Sequence, residues 1–335
     1  MPSALVRHDA AQSDSGATSS DSEARPLRVA VGWSSSGSDS VAVAAWLGKS
    51  VPVTVSVFST VKRKWTNSLS PKKYAKWLRE ETSKVTAAAK TILGEALPAA
   101  QIADEPCTIV DATDGPASLI SSARKSEADI IVLGSGPKRK KARFSSSCPT
   151  DALLGTSPIP LGLVPTGLKL SKKGVTRVTF AFLYADQGTD TSGLAHAAML
   201  AHRLDVPLRL LSVIPELPQD DAFDVDINAV TESPDWHEAS LALLDLARDE
   251  AYRTLSELRG TDAADALVVE RELAHGNGWK KAINSVKWKR GDLICLGSHV
   301  SAEPNCVDAG DRAASLLRHA PAPVLIYPRT AAPEA

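Results

Sequence analysis

The sequence predicts an α/β protein made of two tandem doubly wound domains, each a five-stranded parallel sheet flanked by helices. Two observations carry this prediction. A strand-like apolar run ending in Leu-Gly-Ser occurs at residues 128–135 and again at residues 291–298. In both copies a proline that opens another apolar strand follows at the same spacing from the glycine, at Pro160 and at Pro323. Equal order and spacing indicate a duplicated domain.

Short apolar runs alternate with helical stretches through the first half of the chain. The expected strands cover residues 28–31, 51–58, 107–110, 130–133 and 161–164, and the expected helices cover residues 41–49, 71–97 and 117–126. Pro71 suits the first turn of its helix, with Ser70 as the cap. This alternation is typical of a parallel sheet covered on both faces, with right-handed crossovers.

The same order restarts in the second half. The expected strands cover residues 178–183, 208–213, 267–270, 293–296 and 324–327, and the expected helices cover residues 191–204, 234–258, 279–287 and 311–319. A loop containing Pro215 and Pro218 is expected after the second strand. Gly276-Asn277-Gly278 is interpreted as a turn before a helix.

Composition sets the domain boundaries. Residues 1–26 are rich in Ser, Asp and Ala with few large apolar side chains, so we expect a disordered tail. The first domain is predicted at residues 27–168 and the second at residues 176–330, joined by a polar, basic linker at residues 169–175. Each domain is long enough to bury a core of its own.

The overall composition is that of an ordinary globular protein, with 335 residues, 43% hydrophobic and 23% charged. No apolar run approaches the roughly 20 residues that span a bilayer, and the N-terminus has no basic-then-apolar signal pattern, so we expect a cytoplasmic protein. The four cysteines are far apart and without a zinc-ligand spacing. We therefore expect reduced thiols and no metal.

Charge is distributed unevenly between the halves. Residues 27–168 carry 18 Lys and Arg against 11 Asp and Glu, whereas residues 169–335 carry 18 against 24. Opposite net charges favour contact between the halves, and the alternative is that the charges are simply solvated.

Both halves resemble the universal stress protein family, over about residues 27–166 and 176–329. The resemblance is carried by the two Leu-Gly-Ser runs and by residues 313–326, which are similar to the family's usual ending. It implies an adenine nucleotide alpha hydrolase-like fold whose two domains pair through their fifth strands, which would cover two sheet edges.

The resemblance also implies a nucleotide site. Members of the family that bind ATP carry Gly-x2-Gly-x9-Gly-Ser/Thr after the fourth strand, where glycines and a small hydroxyl at a helix N-terminus contact phosphate oxygens. In the first half the motif begins at Gly134 and Ser135. Pro137 then replaces the second glycine, and Ser147-Cys148 replaces the last pair. The first-half site is therefore predicted to be degenerate.

The second half retains more of the motif. Gly297 and Ser298 begin it and Gly310 is kept, but Val300 replaces the middle glycine. Asp311 replaces the hydroxyl and would face a triphosphate with like charge. This substitution argues against ordinary ATP binding.

The family's contact to the nucleotide base is an aspartate at the end of the first strand. In the first half Gly32 stands at this position, before Trp33 and Ser34. In the second half Asp186 is the candidate, displaced by about one position.

Two further motifs are open to alternative interpretations. Residues 35–40, Ser-Ser-Gly-Ser-Asp-Ser, approach the pyrophosphate loop of adenylating enzymes, and the alternative is a simple helix cap. The basic run at residues 138–143 could hold an anion or nucleic acid, or be a solvated loop. No aromatic platform accompanies it, so nucleic acid is not expected.

The residues support three hypotheses. The first is a non-catalytic stress-response or regulatory module that binds a protein partner, because no Ser/His/Asp triad can be assembled from the sequence. The second is a signalling protein that binds ATP, AMP or another adenine nucleotide. The third is an adenylating enzyme that uses residues 35–40. Internal pairing and a homo-oligomer fit all three.

Overall fold

A computed structural model gives the fold. It describes residues 25–33, 38–61, 71–111, 115–135, 144, 150, 153–183, 192–216, 236–298, 307 and 310–329.

The first half alternates strands and helices as expected. Its strands are β1 (Leu27–Gly32), β2 (Val53–Val61), β3 (Ile102–Asp111), β4 (Ile130–Gly134) and β5 (Leu161–Val164). Its helices are α1 (Asp39–Leu47), α2 (Pro71–Ala96) and α3 (Gly115–Lys125), with a short 3₁₀ helix at Ala99–Gln101.

The second half repeats the pattern. Its strands are β6 (Arg177–Phe182), β7 (Leu208–Glu216), β8 (Val269–Asn277), β9 (Asp292–Leu296) and β10 (Val324–Ile326). Its helices are α4 (Ser192–Leu204), α5 (Trp236–Arg259), α6 (Thr261–Ala266), α7 (Trp279–Asn284) and α8 (Gly310–Leu317).

The ten strands form one sheet in the order β3-β2-β1-β4-β5-β10-β9-β6-β7-β8. Read inward from either edge, each half shows the same order, third, second, first, fourth and fifth strand. Within each half neighbouring strands are parallel, and the halves meet where β5 and β10 pair antiparallel through Leu163 and Val324. The predicted fold class is confirmed, with the two five-stranded sheets joined into one.

The strand registers identify equivalent positions in the two halves. Val29 lies beside Ile130 in β4, and Val178 lies beside Leu293 in β9. Because Ile130 and Leu293 stand at the same place relative to Gly134 and Gly297, Val29 and Val178 are equivalent. Residues that pair with equivalent residues on neighbouring strands are themselves equivalent.

Two hydrophobic cores cover the two faces of the sheet, and each runs through both halves. One face packs against α1, α2, α4, α5 and α6, and the other against α3, α7 and α8. Four of the central strands, β5, β6, β9 and β10, are buried at every residue. This explains why apolar residues predominate in them.

The two outer strands of the sheet differ most from expectation. β3 and β8 are longer than predicted, because their exposed charged residues interrupt the apolar pattern. Charged side chains on an edge strand hinder pairing with another chain. The interpretation of Gly276 and Asn277 as turn residues is wrong, since both belong to β8 and pair with Pro215 and Glu216. Pro215, expected in a loop, is likewise part of β7.

Contacts beyond β5 and β10 also join the halves. The backbone N–H of Val175 donates to the Ser50 hydroxyl at 2.8 Å, which fixes the predicted linker against the end of α1. Arg203 in α4 donates to the Arg25 carbonyl at 2.7 Å, and Arg25 in turn forms an ion pair with Asp129. Residues 1–24 of the predicted tail lie outside the described residues.

Candidate functional site

The candidate nucleotide sites lie at the carboxyl ends of the first and fourth strand of each half. There the chain leaves neighbouring strands in opposite directions, and the resulting crevice is where open parallel sheets bind ligands. In the first half Gly32 ends β1 and Gly134 ends β4, and Gly32 pairs with Leu133. The structure thus brings these two predicted residues together, while Ser34 and Ser147 lie outside the described residues.

Apolar side chains close in on the first-half crevice. A Cβ added to Gly32 would come within 2.5 Å of Leu133 Cδ2, so the family's aspartate could fit here only if Leu133 moved. Trp33 follows with a buried indole, and its Nε1 has no hydrogen-bond partner in the described part of the chain. Gly134 faces Ser40 of α1, whose side chain is also buried.

The serine of each Leu-Gly-Ser run bonds to the backbone at the end of the fifth strand. The Ser135 hydroxyl donates to the Val164 carbonyl at 3.0 Å, and the Ser298 hydroxyl donates to the Tyr327 carbonyl at 2.7 Å. These hydroxyls therefore tie the fourth strand to the fifth in both halves. A hydroxyl has a single proton, so neither can donate to a phosphate without breaking this bond.

In the second half the backbone of α4 approaches Gly297 closely. A Cβ on Gly193, in the first turn of α4, would lie 2.6 Å from Gly297 Cα and 3.0 Å from Gly297 N. Only glycine permits this approach. The first turn of α4 therefore packs directly on the glycine that opens the phosphate motif.

Gly310 and Asp311 open α8, where the motif ends. Gly310 has φ of 61°, a left-handed conformation that favours glycine. Asp311 is exposed in the first helical turn, where the helix dipole stabilises a carboxylate. The same charge occupies the position at which the family's motif offers a hydroxyl. Val300 lies outside the described residues.

The register of the second half adds a finding about the base-contact position. Ala181 in β6 is equivalent to Gly32, and it is buried. Asp186 lies five residues further along the chain, outside the described residues, so its role stays a prediction. Within β6 no carboxylate stands at this position.

The Ser-rich loop after β1 is described only from Ser38 onward. Asp39 begins α1, and its Oδ1 accepts a hydrogen bond from the Gly167 N–H at 3.3 Å. Asp39 thus contacts the segment after β5. Ser38 stands at the N-cap of α1 and its side chain makes no capping hydrogen bond, so the expected helix cap is not observed among the described residues.

A histidine–carboxylate pair lies at the ends of β7 and β8 and was missed by sequence reasoning. His275 Nε2 is 3.0 Å from Glu216 Oε1, and the Trp236 ring stacks on the imidazole with centroids 4.6 Å apart. The pairing of β7 with β8 brings the two residues together from 59 positions apart. Only correct ends for both β7 and β8 could have revealed the pair.

Burial raises the pKa of two groups next to Ser298. The pKa of the Cys295 thiol is well above its ordinary value, and that of the Tyr327 phenol is raised by burial and by the neighbouring Cys295. The exposed His196 stacks on the Tyr327 ring, with centroids 4.9 Å apart. Both groups are neutral at physiological pH and pack as core side chains.

A second missed feature is a buried charge cluster at the amino ends of β6, β7 and β9. Asp292 accepts from Arg177 at 3.0 and 2.8 Å, and its Oδ2 is 3.7 Å from Arg209 Nη2. Asp292 and Arg209 are fully buried. The cluster lies at the end of the sheet opposite the candidate nucleotide site.

Among the described residues, no group of three or more His, Cys, Asp or Glu side chains could hold a metal ion. No helix within them is long and apolar enough to cross a membrane.

The model of the universal stress protein family matches residues 183–328 of the chain. Among characterised sequences, universal stress proteins of Mycobacterium bovis and Mycobacterium tuberculosis are each 25% identical over 214 residues, which is 63% of this chain and 68% of theirs.

Comparison with solved structures supports the fold. A universal stress protein from Archaeoglobus fulgidus aligns with a TM-score of 0.58 at 16% identity, covering 90% of this chain and 98% of that one. The alignment spans both halves, so the similarity extends beyond the range matched by the family model.

Proposed function

We propose that this chain, a member of the universal stress protein family, is a stress-response module that acts by binding a protein partner, without catalysis and without a complete nucleotide site. Regulation would then depend on whether the protein partner is bound, and not on catalytic turnover.

The observation that carries the proposal is Asp311 at the start of α8. Its exposed carboxylate stands where a phosphate would approach, and two like charges about 4 Å apart repel by about 1 to 4 kcal/mol, depending on the local dielectric. Additional support comes from Ser298, whose hydroxyl is already donated to the backbone. Both features oppose the charge or the hydrogen bonding of a triphosphate.

Equilibrium dialysis with radiolabelled ATP, with and without Mg²⁺, tests the proposal. We expect no stoichiometric binding at millimolar nucleotide. Asp311→Ser restores the hydroxyl of the motif and removes the repulsion, so it should raise ATP affinity by roughly tenfold to a thousandfold. Asp262→Ser is the matched control, because Asp262 also lies in the first turn of a helix of the second half but away from the site.

Two results would count against the proposal. Stoichiometric ATP binding by the unaltered protein would show that the second-half site is complete. An equal gain in Asp311→Ser and Asp262→Ser would show that general charge, and not position 311, controls binding.

The second candidate function is adenine-nucleotide signalling through the second half. It is favoured by Gly297 and Gly310, which remain at the two ends of the motif, with Gly310 in the left-handed conformation. ATP or AMP would then copurify with the protein and raise its melting temperature. Native mass spectrometry of freshly purified protein reports the bound nucleotide and the number of subunits in one spectrum.

The third candidate is an adenylating enzyme that uses residues 35–40. It predicts release of pyrophosphate from ATP in the presence of an acceptor, with loss of release in Asp39→Ala. The bond from the Gly167 N–H engages one carboxylate oxygen of Asp39, which favours a role in holding the segment after β5.

The expected setting is the cytoplasm, and the expected partner is a protein. Cell fractionation checks the first expectation. Affinity purification with cross-linking, from stressed and unstressed cells, checks the second. Recovery in the membrane fraction, or recovery of nucleic acid alone, would contradict these expectations.

A further inference from the structure

A cavity of about 240 Å³ lies at the amino end of the first-half sheet, away from the candidate nucleotide site. Its walls come from β1, β2, β3 and the turn after α3. The residues that line it include Arg28, Ser56, Phe58, Glu105 and Thr108. Its volume far exceeds that needed for one water and is slightly below that of a pocket for a drug-sized ligand.

The strand registers show what occupies the equivalent place in the second half. Val55 pairs with Val29, and Leu208 pairs with the equivalent residue Val178. Val55 and Leu208 are therefore equivalent, and the next residues along the two strands are Ser56 and Arg209. Ser56 is therefore equivalent to Arg209. By the same reasoning Thr108, which pairs with Phe58, is equivalent to Glu272, which pairs with Leu211.

In the second half the fully buried Arg209 side chain occupies this place. Its Nε donates to the Thr179 hydroxyl at 3.1 Å, and its Nη1 donates to Glu272 at 2.8 Å and to the Lys287 carbonyl at 3.1 Å. The guanidinium also lies 4.4 Å from the centroid of the Trp288 ring. The protein thus contains a guanidinium site that is occupied by one of its own residues.

In the first half small residues stand at the two decisive positions, and the space is open. The pairing of β2 with β3 is irregular between Val55 and Val57, opposite Ser56, so that residues 103–106 bulge at the cavity. This bulge carries Glu105, an exposed carboxylate in the lining. Phe58 supplies an aromatic wall, although from a different position than Trp288.

Charge around the cavity also suits a cation. Arg28 is paired with Glu127, and Asp129 is paired with Arg25, so these four charges balance. Glu105 then remains as the carboxylate in the wall without an ion pair to another described residue. A bound cation would neutralise it, as Arg209 neutralises Glu272.

We propose that the first-half cavity binds a small guanidinium compound, such as arginine or its decarboxylated form agmatine, in the place that Arg209 fills in the second half. The ligand would donate to Glu105 and to the Ser56 and Thr108 hydroxyls, and its planar group would pack against Phe58. This site is separate from the nucleotide crevice, which lies at the opposite end of the strands.

Isothermal titration calorimetry of the full chain with agmatine tests the proposal, with putrescine as a matched diamine that lacks the guanidinium. We expect binding of one agmatine per chain and at least about tenfold weaker binding of putrescine, because an ammonium cannot make the planar, forked contact. Glu105→Gln changes an exposed residue and should weaken agmatine binding by about tenfold or more, because it removes one charge-assisted hydrogen bond.

A filled-cavity variant gives the decisive control. Ser56→Arg combined with Thr108→Glu copies the second half into the first and should abolish agmatine binding while the circular dichroism spectrum stays unchanged. The converse change, Arg209→Ser with Glu272→Thr, opens the second cavity without touching the first, so agmatine binding at the first site should persist.

Three results would overturn the proposal. The first is absence of agmatine binding at millimolar concentration. The second is equal binding by Glu105→Gln and the unaltered protein, which tests the site even if the double variant does not fold. The third is binding of inorganic phosphate in place of agmatine, which would assign the cavity to anions through Arg28.

Discussion

Neutralising the buried aspartate of the charge cluster should be far more costly than neutralising its exposed equivalent. Asp292 and Asp129 occupy equivalent positions in the two Leu-Gly-Ser repeats. The Asp292 side chain is 0% exposed and is paired with Arg177, whereas that of Asp129 is 23% exposed and is paired with Arg25. Asp-to-Asn changes at the two positions therefore compare the same chemistry at two degrees of burial.

The magnitudes follow from this difference. Asp292→Asn leaves Arg177 and Arg209 buried with one fewer counter-charge, and breaking a buried ion pair in this way costs about 3 to 5 kcal/mol. Asp129→Asn removes a partly exposed pair, for which about 1 kcal/mol or less is expected. With a shift of about 2 to 4 °C per kcal/mol for a domain of this size, Asp292→Asn should lower the melting temperature by roughly 6 to 20 °C.

Urea unfolding followed by circular dichroism measures both costs, with thermal melts as a second readout. Both variants should keep the native spectrum in the absence of urea. If the two changes reduce the free energy of unfolding by the same amount, within about 0.5 kcal/mol, burial does not determine the cost and the reasoning fails.

Three further predictions concern packing, pH and assembly. Gly193→Ala should lower the free energy of unfolding by about 1 to 3 kcal/mol, because the added methyl group would meet the backbone of Gly297. Gly94→Ala should raise it by about 0.5 to 1 kcal/mol, because Gly94 lies in a helix with open space around it. Chemical denaturation measures both changes, and the reverse order of stabilities would contradict the prediction. Burial raises the pKa of Cys295, so the native state keeps a proton that the unfolded chain releases above pH about 8.5. The free energy of unfolding should therefore fall as the pH rises further, by at most about 1.4 kcal/mol per pH unit from this thiol. Cys295→Ala should make this fall less steep, and an unchanged pH dependence in the variant would refute the prediction. Residues 27–168 expressed alone should self-associate through the uncovered edge of their fifth strand, and a monomer by light scattering would show that this edge is protected in another way.

The alternation of apolar runs with helices was sufficient to predict a five-stranded parallel sheet in each half. β6 and β9 are buried at every residue, so apolar side chains predominate in them after the charged first residue, and both strands are easily recognised. The repeated Leu-Gly-Ser runs then fixed the correspondence between the halves. These features are local in sequence, which is why they could be predicted without coordinates.

The outer strands could not be predicted in full, for a physical reason. β8 exposes Glu270 and Arg271, and β3 exposes Asp104 and Glu105, so neither strand shows a continuous apolar run. Because the end of β8 was misplaced, His275 could not be matched to Glu216. The pair depends on backbone hydrogen bonds between strands that are distant in sequence.

The candidate site shows the same division between local and cross-strand information. The motif positions Gly134, Gly297 and Gly310 could be read from spacing alone, but the contact between Gly193 and Gly297 could not, since it depends on how α4 approaches β9. The register likewise shows that Ala181 is equivalent to Gly32. The resemblance of the turn after the first strand to the family's pattern instead indicates Asp186, five residues further along the chain.

Duplication explains why the two charge systems differ although the backbones match. Once Arg209 and Glu272 fill the space beneath α7, the ion pairs of Asp292 are shielded from solvent and each becomes costly to break. With Ser56 and Thr108 at the equivalent positions, the corresponding aspartate stays partly exposed, beside an open cavity. Divergence at two cross-strand positions is therefore enough to convert a structural cluster into a site with room for a ligand.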